Sequence, residues 1–151
     1  MTFYQSVFDE SKPIRFPELK GYKWMFIDSS NFYFAGEQSG ISVFERKEFL
    51  PGNLIAKNEI GDINRAYFFK GSLVVSGSYG LRIYSLENNE IVLKDQLAPL
   101  KQVNRLSSDE DVLAVLTGDG SIYKYKVNDN YKIELLAQIK ISPKPTNFKF
   151  T

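Results

Sequence analysis

The sequence contains no cysteine and no histidine. The first absence excludes disulfides, thiolate nucleophiles and Cys-based zinc sites. The second removes the commonest general base, the commonest metal ligand and the usual switch near neutral pH. Charge of one sign is also missing: 19 Lys and Arg face 18 Asp and Glu, for a net charge of +1. The basic residues are scattered, so there is no clustered field to draw the chain onto a nucleic-acid backbone or an anionic bilayer. The nearest group, Lys140, Lys144 and Lys149, reads as a solvated edge. No run reaches the roughly 18 apolar residues of a membrane-spanning helix. Met1 to Glu10 lacks the basic and apolar regions of a signal peptide. These absences lead to the expectation of a cytoplasmic chain that is not an enzyme, with no catalytic residue, cofactor or metal.

What is present is aromatic. The 151 residues include 12 Phe and 9 Tyr, residues that fill the pleated, half-buried surface of a strand. One pattern recurs three times: Tyr33-Phe-Ala-Gly-Glu-Gln-Ser-Gly40-Ile-Ser-Val-Phe44, Leu73-Val-Val-Ser-Gly-Ser-Tyr-Gly80-Leu-Arg-Ile-Tyr84 and Leu113-Ala-Val-Leu-Thr-Gly-Asp-Gly120-Ser-Ile-Tyr-Lys-Tyr125. Each copy is an apolar run, a glycine-marked turn and an alternating run that ends on an aromatic. The turn glycines Gly40, Gly80 and Gly120 stand 40 residues apart, close to the about 40–45 residues of a WD40-type blade.

The spacing predicts an all-β, WD40-like β-propeller arc of about three four-stranded blades, an incomplete ring, in a single domain covering 1–151. The expected parts are an extended N-terminal segment at 1–20 packed against a blade edge, blades at 22–59, 62–99 and 102–141, and the start of a further strand at 142–151. The second strand of each unit, Phe32 to Phe34, Leu73 to Val75 and Val112 to Leu116, is the expected core. The third unit carries one extra residue, Ser121, so its aromatic falls one position later. Glu134 to Lys140 has some helical character, but its place in the repeat makes it a strand. A plain β-meander or sandwich also accommodates short regular strands. Propellers close with about 4–8 blades, so three imply an arc completed by a second copy or another protein, or cut from a longer ring. The Trp-Asp and Gly-His pairs of regular WD40 repeats are absent, which makes this a divergent propeller of the kind found in coat, nucleoporin and tethering subunits.

Within that group the opening Phe3-Tyr-Gln-Ser-Val-Phe-Asp9, with Lys12-Pro13 and Ile14-Arg-Phe-Pro17, resembles the start of the eleventh class C vacuolar protein-sorting subunit, shared by the HOPS and CORVET tethering complexes. Three later stretches are similar in kind and order: Ile27-Asp-Ser-Ser to Phe44, Gly80-Leu-Arg-Ile-Tyr-Ser-Leu-Glu87, and Val112-Leu-Ala-Val to Ile122. The resemblance implies a non-catalytic propeller scaffold in endolysosomal membrane tethering, peripheral on endosomal or vacuolar membranes through a complex. It also implies a long α-solenoid and a zinc domain that this chain does not contain. The partners expected are other protein subunits, with self-association or a second chain completing the propeller, and neither nucleic acid nor membrane insertion.

Several residue groups invite a functional reading. Asp28, Asp109, Glu110, Asp111 and Asp119 offer carboxylates for glycoside hydrolysis, which needs two facing a sugar, or for calcium. Asp and Asn, however, favour turns in their own right, and no sialidase-type Asp-box occurs. Gly118-Asp-Gly120 has no following Lys-Ser/Thr and reads as a turn, not a phosphate loop. A glycan- or ligand-binding propeller is thus the alternative to a protein scaffold. The candidates for partner binding are Arg65, Arg105 and Trp24. Ile63-Asn-Arg65 and Val103-Asn-Arg105 repeat 40 residues apart, at the start of a blade where partners commonly dock. The competing expectation is a structural ion pair for each arginine and a packing role for Trp24.

Overall fold

The structure, a computed structural model, describes residues 2–5, 9–15, 20–97 and 101–141, with side chains described for 20–97 and 101–141. Every regular element among them is a strand. A hairpin of β1 (Thr2–Gln5) and β2 (Asp9–Arg15) comes first. Three four-stranded sheets follow: β3 (Trp24–Ile27), β4 (Asn31–Gly36), β5 (Gly40–Lys47) and β6 (Leu50–Asn58), then β7 (Arg65–Phe69), β8 (Ser72–Gly77), β9 (Gly80–Glu87) and β10 (Glu90–Leu97), then β11 (Val103–Asp109), β12 (Val112–Thr117), β13 (Ser121–Val127) and β14 (Ile133–Lys140). Each sheet is an antiparallel meander in chain order. The fold is therefore all-β, with three blades of propeller type, fewer than the number that closes a ring. The segment Glu134 to Lys140 is a strand, as its place in the repeat required. The further strand expected at 142–151 lies outside the described residues.

Within the N-terminal segment, the two described stretches are extended strands. The segment doubles back, with Thr2 opposite Arg15 and Tyr4 opposite Pro13. A two-stranded ribbon consists only of edges, and an edge is where a strand proline is tolerated.

Register aligns the three blades. Ala35 pairs Ile41, Ser76 pairs Leu81 and Leu116 pairs Ile122. Three residues farther from the turn, Phe44 pairs Phe32, Tyr84 pairs Leu73 and Tyr125 pairs Leu113. All six of these side chains are buried. The register corrects the expectation of an extra residue in the third unit: the first and third hairpins are equally long and the second is one residue shorter at its turn, while Gly120 lies one position ahead of the equivalent of Gly40 and Gly80. All three glycines have positive φ: 77°, 102° and 84°. At Gly40 a Cβ would also collide with the Asn58 carbonyl oxygen, so a side chain there meets both strain and steric overlap.

Contacts divide the chain into two compact units: Met1–Ile63 with Asn88–Ile91, and Asn64–Glu87 with Val92–Thr151. In the first, the core is aromatic. Tyr22, Phe32, Phe34 and Phe44 cluster, with Phe34 edge-on to Phe44 at 5.6 Å and parallel to Phe32 at 6.2 Å. These separations fall in the favourable range for aromatic pairs. The Tyr22 hydroxyl reaches Ser42 Oγ at 2.5 Å, satisfying two buried polar atoms.

In the second unit the core is mainly aliphatic and lies between two sheets. Val74, Leu81 and Ile83 of the β7–β10 sheet pack with Leu106, Leu113, Val115, Tyr125 and Val127 of the β11–β14 sheet. Polar bonds stitch the rim of that contact. Tyr67 and Ser108 share a hydroxyl hydrogen bond of 2.8 Å, Lys70 Nζ donates to the Val127 carbonyl at 3.0 Å, and the Tyr131 hydroxyl donates to the Lys70 carbonyl at 3.0 Å. On the outer side the Ile133 amide donates to Asp95 Oδ2 at 2.8 Å.

Candidate protein-interaction surface

The three candidate partner-binding residues share one register position. Trp24 lies opposite Ala35, Arg65 opposite Ser76 and Arg105 opposite Leu116, at the start of each blade's first strand. Each is preceded by a residue squeezed into the same space. Lys23 donates its amide to the Ala35 carbonyl at 2.8 Å, Asn64 to the Ser76 carbonyl at 2.7 Å, and the register steps over Asn104 between Val103 and Arg105. Two residues against one is the geometry of a bulge, which bends the strand end and re-aims its side chains. Arg65 and Arg105 are exposed and Trp24 is half-buried. The structure brings Arg65 and Arg105 onto contacting strands, β7 and β11, of one unit. Trp24 belongs to the other unit.

The arginines do not form the ion pairs the sequence suggested. Among the described residues the ion pairs are Lys23 with Glu37, Lys47 with Glu45, Lys70 with Asp129 and Lys94 with Glu87. Arg65 instead donates from Nε to the Asn104 carbonyl at 3.1 Å and from Nη1 to the Asn64 carbonyl at 3.0 Å. Two of the five guanidinium donors are thus committed, on a residue that is exposed. Beside it, the Asn64 side-chain amide donates to the Val103 carbonyl at 2.8 Å. Asn64 and Arg65 therefore grip two successive carbonyls of the next sheet's first strand. The corresponding pair, Asn104 and Arg105, has no side-chain hydrogen bond or ion pair among the described residues. The asparagines were not singled out from the sequence, although each precedes its arginine in both copies of the repeat.

Two of the carboxylates considered for sugar or calcium chemistry, Asp28 and Asp119, are hydrogen-bonded in turns. Asp28 Oδ1 accepts the amides of Ser30 and Asn31, both at 2.8 Å, and Oδ2 accepts the Tyr33 hydroxyl at 2.8 Å. Asp119 accepts the Thr117 hydroxyl at 2.6 Å and the Ser121 amide at 3.2 Å. Chiefly through the Thr117 bond, Asp119 is held below the ordinary carboxylate range. Gly118 to Gly120 joins β12 to β13 as a turn. No group of three metal-ligating side chains forms among the described residues.

Two open clefts lie in the first unit. One of about 420 Å³ is lined by Lys20, Tyr22, Gln38, Ser39, Lys57 and Glu59. The other, of about 320 Å³, includes Phe44, Asn53 and Leu54. The first holds a single carboxylate and the second none, so neither presents the carboxylate pair that glycoside hydrolysis uses.

No known family and no curated protein matches the chain. Among solved structures, the crystal structure of the N-terminal domain of Nup159, a β-propeller, matches with a TM-score of 0.59 at 14% identity. The match covers 89% of this chain and 36% of that one, so the chain spans about a third of its neighbour's length. At that identity the likeness shows the fold, in agreement with the sheet topology.

Proposed function

We propose that the chain is a non-catalytic protein-interaction scaffold that binds other protein subunits through the first-strand surface marked by Arg65 and Arg105. The observation that carries this reading is the pair of exposed guanidiniums on contacting strands, neither neutralised by a carboxylate among the described residues. An unpaired guanidinium is a fork for a partner's carboxylates or main-chain carbonyls. Trp24 occupies the matching register position of the first blade.

The complex is assigned to endolysosomal membrane tethering. The support is the resemblance of residues 3–17 and the later blade stretches to the eleventh class C vacuolar protein-sorting subunit; residues 6–8 and 16–17 of that opening lie outside the described residues. The chain then works in the cytoplasm, held at endosomal or vacuolar membranes by its partners. The likeness to the Nup159 propeller favours a second reading, a scaffold subunit of a nuclear-pore complex.

The test is affinity capture of interacting proteins, with cross-linking and mass spectrometry. Arg65→Glu/Arg105→Glu is expected to lose the captured subunits while the circular-dichroism spectrum stays β-type. Capture that survives charge reversal would remove this surface from the proposal. Tethering or nuclear-pore subunits in the captured set decide between the two complexes. A thermal-shift screen with glycans and calcium checks the ligand-binding alternative, since only that reading expects specific stabilisation.

A further inference from the structure

Asn64 and Arg65 have a defined structural task, and the repeat places the same pair of residue types at Asn104 and Arg105, for which no acceptor lies among the described residues. Asn64 Nδ2 and Arg65 Nε donate to the carbonyls of Val103 and Asn104, the two residues that open the next blade's first strand. Asn104 and Arg105 carry the same donors at the same register position, without acceptors among the described residues.

The complementary half is also present. In the β11–β14 sheet, Leu106 is packed against the preceding blade and is 9% exposed. Its register equivalent in the β3–β6 sheet is Met25, which faces Phe34 as Leu106 faces Val115. Met25 is 39% exposed, and Ile27 on the same side of β3 is 45% exposed. The first-strand position that is closed where a preceding blade packs is open on β3, while Phe32, Phe34 and Phe44 farther across the same face are already buried. By the same register, the carbonyls corresponding to those of Val103 and Asn104 belong to Tyr22 and Lys23.

We propose that a second copy of this chain supplies the missing half: Asn104 and Arg105 of one copy grip the Tyr22 and Lys23 carbonyls of the other, and Met25 and Ile27 are covered in the contact. This rests on the scaffold reading and names one partner of that surface. The contact continues the packing already seen between the two sheets of the second unit. Two copies bring six described four-stranded sheets, within the about 4–8 blades that close a propeller. An isologous pair uses the contact twice, so neither copy keeps an unmated half.

Sedimentation equilibrium and light scattering on the intact chain provide the test. The wild type is expected at twice its 17.3 kDa mass at micromolar concentration. Asn104→Ala/Arg105→Ala is expected to weaken dimerisation about tenfold or more, because each contact loses charge-assisted and amide hydrogen bonds. Met25→Lys attacks the other half independently and is expected to do the same, so poor folding of one variant leaves the other decisive. A monomer at all concentrations, an open series of higher oligomers, or a dimer unaffected by either change overturns the inference. If the dimer fails while Arg65→Glu/Arg105→Glu still abolishes capture of other subunits, the scaffold reading stands and only the second copy is lost.

Discussion

The two compact units solve one packing problem with different side chains. At matched register positions the first unit places Phe32, Phe34 and Phe44 where the β11–β14 sheet of the second places Leu113, Val115 and Tyr125. Three phenylalanines and Tyr22 make a contiguous cluster from a single sheet and a residue two positions before it. Leucine and valine are too small to do so, and the second unit's cluster draws its members from two facing sheets. The backbone pattern is indifferent to this choice. What a blade requires at these positions is a buried apolar volume; the first unit fills it with rings from its one described four-stranded sheet, the second mainly with smaller side chains from two.

The largest test of this contrast compares truncations at one register position. Phe34 is fully buried against three aromatic rings, and Phe34→Ala is expected to cost about 3–5 kcal/mol. Val115→Ala, also at 0% exposure, removes far less volume and is expected to cost about 2 kcal/mol. Trp24 is the sole tryptophan and lies in the first unit, so its fluorescence follows that unit while far-UV circular dichroism follows both. In urea, Phe34→Ala should move the tryptophan transition more than Val115→Ala does. Equal shifts would mean that the aromatic cluster has no special weight.

The next test concerns the second unit's reliance on bonds between sheets. Asn64→Ala removes the donor to the Val103 carbonyl and is expected to cost about 1 kcal/mol. The loss should appear in circular dichroism with little change in the tryptophan transition. A tryptophan shift of the same size would show that the units unfold together and that their difference in construction has no energetic consequence.

The blades were legible in the sequence because their signals are local. Gly40, Gly80 and Gly120 mark turns that need positive φ, and the runs around them alternate with the strand period. What was hidden depends on partners that have no letter of their own. Arg65 looked like half of an ion pair, but its acceptors are main-chain carbonyls, which every residue possesses. Trp24 shares a row with Arg65 and Arg105, yet no residue type links them; the equivalence exists only in the register. The β1–β2 hairpin was masked by Pro13, which argues against a central strand and is silent about a two-stranded ribbon. The division into two units turns on phenylalanine against leucine and valine at equivalent sites, a distinction that apolar periodicity does not register.

A smaller effect, of opposite sign, is expected one position along the same rows. Ala35, Ser76 and Leu116 occupy one register position and all are buried. Ser76 is the polar member, and its hydroxyl has no hydrogen-bond partner. An unsatisfied buried hydroxyl is destabilising. Ser76→Ala, which installs the first unit's residue in the second, should raise stability by up to about 1 kcal/mol. A loss of stability would mean that the hydroxyl has a partner in solution, and the rows would then differ in polarity as well as size.

The smallest effect compares the two units at their outer hairpins. Glu45 in the first and Glu87 in the second both have side-chain pKa values below the ordinary carboxylate value, for different reasons. Glu45 is held chiefly by the Asn53 amide, which donates to Oε1 at 3.1 Å. Glu87 is held chiefly by Lys94, whose Nζ lies 2.8 Å from Oε2, and then by the Ser85 hydroxyl. A carboxyl with a lowered folded pKa binds its proton less readily folded than unfolded. Its contribution to stability is therefore present above the unfolded value of 4.5 and is lost as pH falls through the folded value. Both carboxylates are exposed, so salt should weaken the charged partner more than the amide. Glu87→Gln is expected to flatten part of the acid limb of stability below pH 4.5, an effect that shrinks in 1 M salt, where the Debye length is about 3 Å. Glu45→Gln should flatten it with weaker salt dependence, because its main partner is a backbone amide. Urea midpoints across the acid range at low and high salt measure both. Identical salt responses would mean that Lys94 holds Glu87 no differently from the way an amide holds Glu45.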